Sequence, residues 1–126
     1  MPALVLIMAG GAVGAASRYY LSKLALAALG PAFPWGTWIV NLSGSLLMGL
    51  LAGFVLRHGP ASNEPLLLFL GVGVLGGFTT FSGFSLEMVQ MLERGSLALA
   101  TAYAVSSVVA SVVLLAAGLW LARAAA

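Results

Sequence analysis

The residues of this chain best equipped for chemistry are hydrogen-bond donors that carry no charge. Asn41 lies a few residues into an apolar stretch, with Ser43 and Ser45 following it. Its amide offers two N–H groups and must find partners there. Tyr103, Ser107 and Ser111 recur at i, i+4 and i+8, which places three hydroxyls on one face of a helix. Thr37, Thr80 and Ser82 add further hydroxyls. Taken singly, a Ser or Thr in an apolar helix bonds back to the preceding turn. Taken as a stripe facing Asn41, they form a track of neutral donors suited to an ion or solute that accepts hydrogen bonds. Phe78, Phe81 and Phe84 recur every third residue close by. A phenyl ring has a positive edge and a negative face, so edges would meet a small anion and faces a cation. Plain packing is the third use of these rings, and the sequence leaves the three open.

Ionisable residues are few: five Lys and Arg, three Asp and Glu, one His. Glu87 stands in an apolar segment, near enough to its end to be hydrated, and reads either as a vestibule charge or as a hydrogen-bonded carboxylate. Arg18 sits about 22 Å along its helix at about 1.5 Å per residue; it either draws anions into a vestibule or, as the sequence favours, anchors the helix among headgroups. His58, Glu64, Glu93 and Arg123 read as interface residues. No carboxylate pair, histidine cluster or nucleophile–base set occurs, and no cysteine is present, so nothing supports catalysis, a disulfide scaffold or a thiolate metal site.

The elements that hold these residues follow from composition. The 126 residues are 62% hydrophobic and 6% charged, against about 25% charged in soluble domains. A water-exposed surface of ordinary polarity cannot be built from them, which excludes a soluble enzyme. Five basic residues cannot form a nucleic-acid footprint, and the hydrophobicity excludes disorder. An all-α integral membrane protein remains, a single domain over residues 1–126. A spanning helix needs about 20 apolar residues, and four segments meet this, at about 3–29, 35–56, 66–92 and 97–121. Gly30-Pro31 with Pro34, Gly59-Pro60 through Pro65, and Arg94-Gly95 separate them. The first segment lacks a basic leader and is longer than a signal-peptide core, so it reads as a retained span.

An even number of spans puts Arg57 and Arg123 on one side and Arg18, Lys23 and Arg94 on the other. Orientation follows the Lys and Arg excess in cytoplasmic loops, and an excess of one barely orients the chain. Insertion both ways up is the expectation, in preference to a weakly set single topology, and it permits an antiparallel homodimer with its two-fold axis in the membrane plane. Lipid supplies no hydrophobic drive for helix association, so small residues must permit close backbone approach. Gly10 with Gly14, Gly49 with Gly53, and Gly73 with Gly77 have that spacing, while the fourth segment is expected to use Ala and Ser. The third segment brings Gly76-Gly77 and Thr79-Thr80 together near its middle, all poor helix formers. A break at mid-membrane over 76–80 is predicted in preference to a continuous helix. Backbone groups freed there must be buried or hold an ion, and carbonyls suit a cation such as sodium.

Three motifs together resemble the CrcB/Fluc family of bacterial fluoride channels: Gly10-Gly11-x-x-Gly14-Ala15-x-x-Arg18-Tyr19, Gly36-Thr37-x-x-Val40-Asn41-x-x-Gly44-Ser45, and Gly76-Gly77-Phe78-Thr79-Thr80-Phe81-Ser82-Gly83-Phe84. The likeness covers essentially the whole chain. It implies an antiparallel, dual-topology homodimer in the bacterial inner membrane, with two fluoride pathways exporting the ion passively and so preventing toxic accumulation. By position it implies a pathway through Asn41, Thr80, Phe81, Ser82, Phe84, Tyr103, Ser107 and Ser111, with Arg18 and Glu87 at vestibules. It further implies a structural sodium ion held by the Gly76 and Thr79 carbonyls of both subunits. Members often have Thr at the place of Gly83 and Phe at that of Leu46. The competing class, a small proton-coupled multidrug exporter of similar length, needs a membrane carboxylate in the first span, and residues 3–29 contain none. A non-transporting assembly protein would tolerate substitutions in the hydroxyl stripe.

Overall fold

The computed structural model describes residues 2–125 and is all-helical; the first and last residues of the expected 1–126 domain lie outside the described residues. Four segments are long and apolar enough to cross a membrane: Pro2–Leu29, Trp35–His58, Glu64–Glu93 and Leu97–Ala124. They are called here the first to fourth spans. Their ends fall within three residues of the expected ones. The connections are short because each turns on a glycine with positive φ, 81° at Gly30, 95° at Gly59 and 77° at Gly95, a conformation that side chains disfavour.

Little of the apolar surface is internal. Val40, Met91 and Tyr103 are the largest fully buried side chains, while Met8, Leu24, Val112 and Trp120 are all more than 60% exposed. Packing therefore rests on close backbone approach. The first span lies along the upstream part of the third, and the second span packs most extensively on the fourth. A Cβ on Gly10 or Gly14 would run into the carbonyl of Phe69 or Val74. A Cβ on Gly77 would stand 2.7 Å from the Gly11 carbonyl. The fourth span uses a glycine beside the expected alanine. Its buried Gly118 approaches the second span, where a Cβ would stand 2.5 Å from the Leu46 carbonyl. Ala122, four residues on, completes a Gly-xxx-Ala spacing, and its methyl is what a Cβ on Gly53 would meet at 2.6 Å.

The third span changes winding along its length. One α turn at Glu64–Leu66 leads into a wide π-helix over Leu67–Leu75, and one α turn, Gly76–Phe78, follows. Thr79 and Thr80 are extended, with φ/ψ of −80°/155° and −149°/118°. A new α-helix, Phe81–Glu93, then begins one or two residues ahead of the expected restart at Ser82 or Gly83. Thr80 serves as its N-cap, its hydroxyl accepting from the Gly83 N–H at 2.9 Å, which satisfies one of the donors a helix start leaves open.

Candidate functional site

The extended pair is held from the second span. Asn41 Nδ2 donates to the Thr80 carbonyl at 3.0 Å, and the Thr80 N–H donates to Asn41 Oδ1 at 2.8 Å. In an unbroken helix that N–H would reach the Gly76 carbonyl; here the side-chain amide takes its place. Gly44 makes the approach possible, because a Cβ there would strike the Thr79 methyl group. The Thr79 hydroxyl bonds back to Leu75 O at 2.9 Å. On the opposite side Arg18 of the first span donates from Nε to the Gly77 carbonyl at 3.1 Å. The expectation that Arg18 anchors among headgroups is therefore corrected: it is half-buried and faces the third span.

Beside the Asn41–Thr80 pair lies a groove of about 340 Å³. Asn41 and Ser45 of the second span, Thr79, Thr80, Phe81 and Phe84 of the third, and Ser107 and Ser111 of the fourth line it. Ser107 is 7% exposed, and its Oγ has no hydrogen-bond partner. Phe81 is 79% exposed, with its ring centroid 5.6 Å from that of Phe84. One turn of the groove wall is sensitive to position 83, since a Cβ on Gly83 would sit 3.0 Å from the Thr80 methyl.

Tyr103 shares the fourth-span stripe but faces a second cluster. It is fully buried, its ring lies 5.0 Å from Phe84, and its hydroxyl donates to Glu87 Oε1 at 2.8 Å. Thr37 donates to the other carboxylate oxygen at 3.0 Å. Glu87 in turn lines a separate cavity of about 200 Å³, together with Phe33, Trp35, Gln90 and Arg94, at the end of the molecule where the first and second spans connect. Tyr103 thus touches Phe33 and Glu87 of the cavity and Phe84 of the groove while lining neither. Ser82 stays outside the groove, exposed and 3.2 Å from the Thr80 hydroxyl. Gly76 is exposed on the protomer surface.

Thr37 and Ser45, named among the candidate hydroxyls, were absent from the pathway that the family resemblance implies, although the spacing carried the signal. Thr37, Asn41 and Ser45 are spaced i, i+4 and i+8, the same stripe on the second span as Tyr103, Ser107 and Ser111 on the fourth. The two polar stripes face each other across the downstream half of the third span. The arrangement offers an entering particle an unpartnered hydroxyl, a second amide hydrogen on Asn41 and two phenyl rings, with no charged side chain in the groove.

Residues 5–119 match the family model described as CrcB-like protein, Camphor Resistance (CrcB). Among similar proteins, one from Phenylobacterium zucineum named fluoride-specific ion channel FluC is 53% identical over 98% of this chain and 97% of its own length. A protein of the same name from Novosphingobium aromaticivorans is 53% identical over 89% of each chain. Another, from Caulobacter vibrioides, is 46% identical over 98% and 97%.

Proposed function

Because the chain belongs to the CrcB-like family, we propose that it is a fluoride-selective channel that lets the ion leave the cell passively across the inner membrane. Ser107 is the observation that carries this reading. A buried hydroxyl without a partner forfeits its hydration for nothing in return, unless the groove it lines receives something that accepts its hydrogen. Fluoride is the strongest hydrogen-bond acceptor among the halides and gives up its water only to donors. The Ser107 O–H, the second N–H of Asn41, the Ser111 hydroxyl and the ring edges of Phe81 and Phe84 supply them, and in a low-dielectric groove such bonds gain strength. The lining is neutral, so it compensates lost water without trapping the ion, which conduction requires. Chloride is larger and a weaker acceptor, so a donor-lined narrow path discriminates against it.

The groove opens sideways, and polar groups cannot face hydrocarbon without cost. A second copy inserted the opposite way up would close it and create two pathways related by symmetry. Extended residues within a spanning segment fit the same picture, since irregular backbone in a bilayer must be buried in protein. The backbone also fits a structural sodium ion. With the Thr80 N–H diverted to Asn41, the Gly76 carbonyl has lost its helical donor on an exposed part of the protomer. Neutral carbonyl oxygens of Gly76 and Thr79 from two subunits are hard donors of the kind an alkali cation takes. Sodium would supply a fixed positive charge between the pathways; the chain's own residues do the anion binding.

The test is efflux from liposomes loaded with potassium fluoride, followed with a fluoride electrode after valinomycin is added. Rapid release of fluoride but not of chloride, lost in Phe81→Ile, supports the channel. No release in sodium-containing buffer from an intact dimer overturns it.

A further inference from the structure

Two side chains from different spans grip the third span where its backbone turns extended. Asn41 holds Thr80 by both backbone groups. Arg18 holds Gly77, three residues upstream, through a single bond from Nε at 3.1 Å. The second grip has its own physics. Residues 64–78 form a helical arm that ends at Phe78, and the last carbonyls of a helix carry partial negative charge without intrahelical donors. A guanidinium at that end satisfies a carbonyl and complements the dipole at once. The first span is fitted to deliver it. Gly10 and Gly14 press against the backbone around Phe69 and Val74, and Arg18 follows at the same four-residue spacing on the same face.

We propose that Arg18 is a positioning residue, the cationic cap of the upstream arm, which keeps residues 79–80 extended and Asn41 aimed into the groove. The inference rests on the channel reading for its conduction readout, but its backbone readout does not. If the Gly77 carbonyl loses this donor, the arm gains reason to continue as helix. The Thr80 N–H then turns to Gly76 O, and Asn41 loses the partner that orients its free N–H. An arginine that served only to draw anions toward the pathway would act through charge and would leave the backbone alone.

Glutamine separates the two roles, because its amide nitrogen occupies the same place along the side chain as arginine Nε and bears no charge. Three variants are compared with the parent in the intact protein in liposomes: Arg18→Gln keeps the donor without charge, Arg18→Lys keeps the charge without a donor at that position, and Arg18→Met keeps neither. Fluoride efflux is measured alongside hydrogen–deuterium exchange of the Thr80 amide. The proposal expects Arg18→Gln to stay within about fivefold of the parent in both readouts, the shortfall being the lost dipole interaction. It expects Arg18→Met to lose about tenfold or more in efflux and in protection, as a charge-assisted hydrogen bond warrants. Efflux that follows charge, with Arg18→Lys like the parent, Arg18→Gln as poor as Arg18→Met and Thr80 protection equal in all, overturns it. Should Arg18→Met fail to assemble, Arg18→Gln against Arg18→Lys decides by the same ranking. Parent protein without efflux sinks the channel reading, and the ranking of Thr80 exchange then judges the cap by itself.

Discussion

At the scale of single residues, Ser107 and Asn41 differ in what they do for the fold, and this separates them experimentally. The Ser107 hydroxyl is buried with no partner, so Ser107→Ala removes an unsatisfied donor and leaves the thermal unfolding temperature unchanged or higher. The same change should slow fluoride efflux about tenfold, as loss of one hydrogen bond to a charged acceptor implies. Loss of stability with efflux intact would mean that the hydroxyl serves packing alone. Asn41 serves both ends. Asn41→Ala strands the Thr80 N–H and carbonyl, each worth about 1–3 kcal/mol when buried and unpaired, so stability in detergent and efflux should fall together. Asn41→Asp keeps the acceptor for the Thr80 N–H but turns an oxygen toward the Thr80 carbonyl and adds a negative charge; efflux should vanish. The sequence disclosed which residue types could act, because a neutral amide and spaced hydroxyls are conspicuous among apolar neighbours. It did not disclose that Asn41 spends half its capacity on Thr80, since a side-chain-to-backbone pairing 39 residues apart leaves no local pattern.

At the scale of elements, the spans were legible and their contacts half so. Apolar runs of adequate length, bounded by Gly-Pro and Arg-Gly, placed all four spans to within three residues. The face of the first span was legible too: Gly10, Gly14 and Arg18 lie on one stripe, and once the glycines are read as contacts, the arginine must point the same way. The π winding over Leu67–Leu75 was not legible, because a wide turn depends on how a neighbour packs rather than on propensity; here Gly71 and Gly73 are buried against neighbouring spans. The contacts yield a graded prediction. Gly14→Ala drives a Cβ into the Val74 carbonyl, and backbone does not give way as a side-chain tip would; a loss of about 1–3 kcal/mol is expected. Gly11→Ala, whose Cβ meets nothing within 4 Å in the protomer, should cost little. Unfolding in detergent by a calibrated denaturant, with both variants in parallel, checks the contrast, and equal losses would refute the packing described.

At the scale of the whole molecule, the structure sharpens the charge count read from sequence. Arg57 Nη1 donates to the carbonyls of Arg123 and Ala125 at 3.0 and 2.7 Å, which fixes both arginines at one end. Arg18, bonded to Gly77 midway along the third span, belongs to neither end. Lys23 and Arg94 then stand against Arg57 and Arg123, two against two, and the orienting bias disappears. Dual insertion predicts that Ala61→Lys with Ser62→Lys, at one end, yields a protein of single orientation that conducts nothing when expressed alone. Co-expression with a chain carrying Ala28→Lys and Ala98→Lys, at the other end, should restore fluoride efflux. Full conduction by either biased chain alone would contradict the antiparallel pairing.

An uncharged, donor-lined groove should pass fluoride and refuse chloride without coupling to another gradient. Current through the purified protein in a planar bilayer tests it most directly, with a tenfold fluoride gradient across the membrane and chloride equal on both sides. Passive selectivity predicts a reversal potential at the fluoride equilibrium value, about 59 mV from zero for a tenfold gradient of a monovalent ion, unmoved when the proton gradient is reversed. A reversal potential near zero, or one that follows the protons, would contradict it.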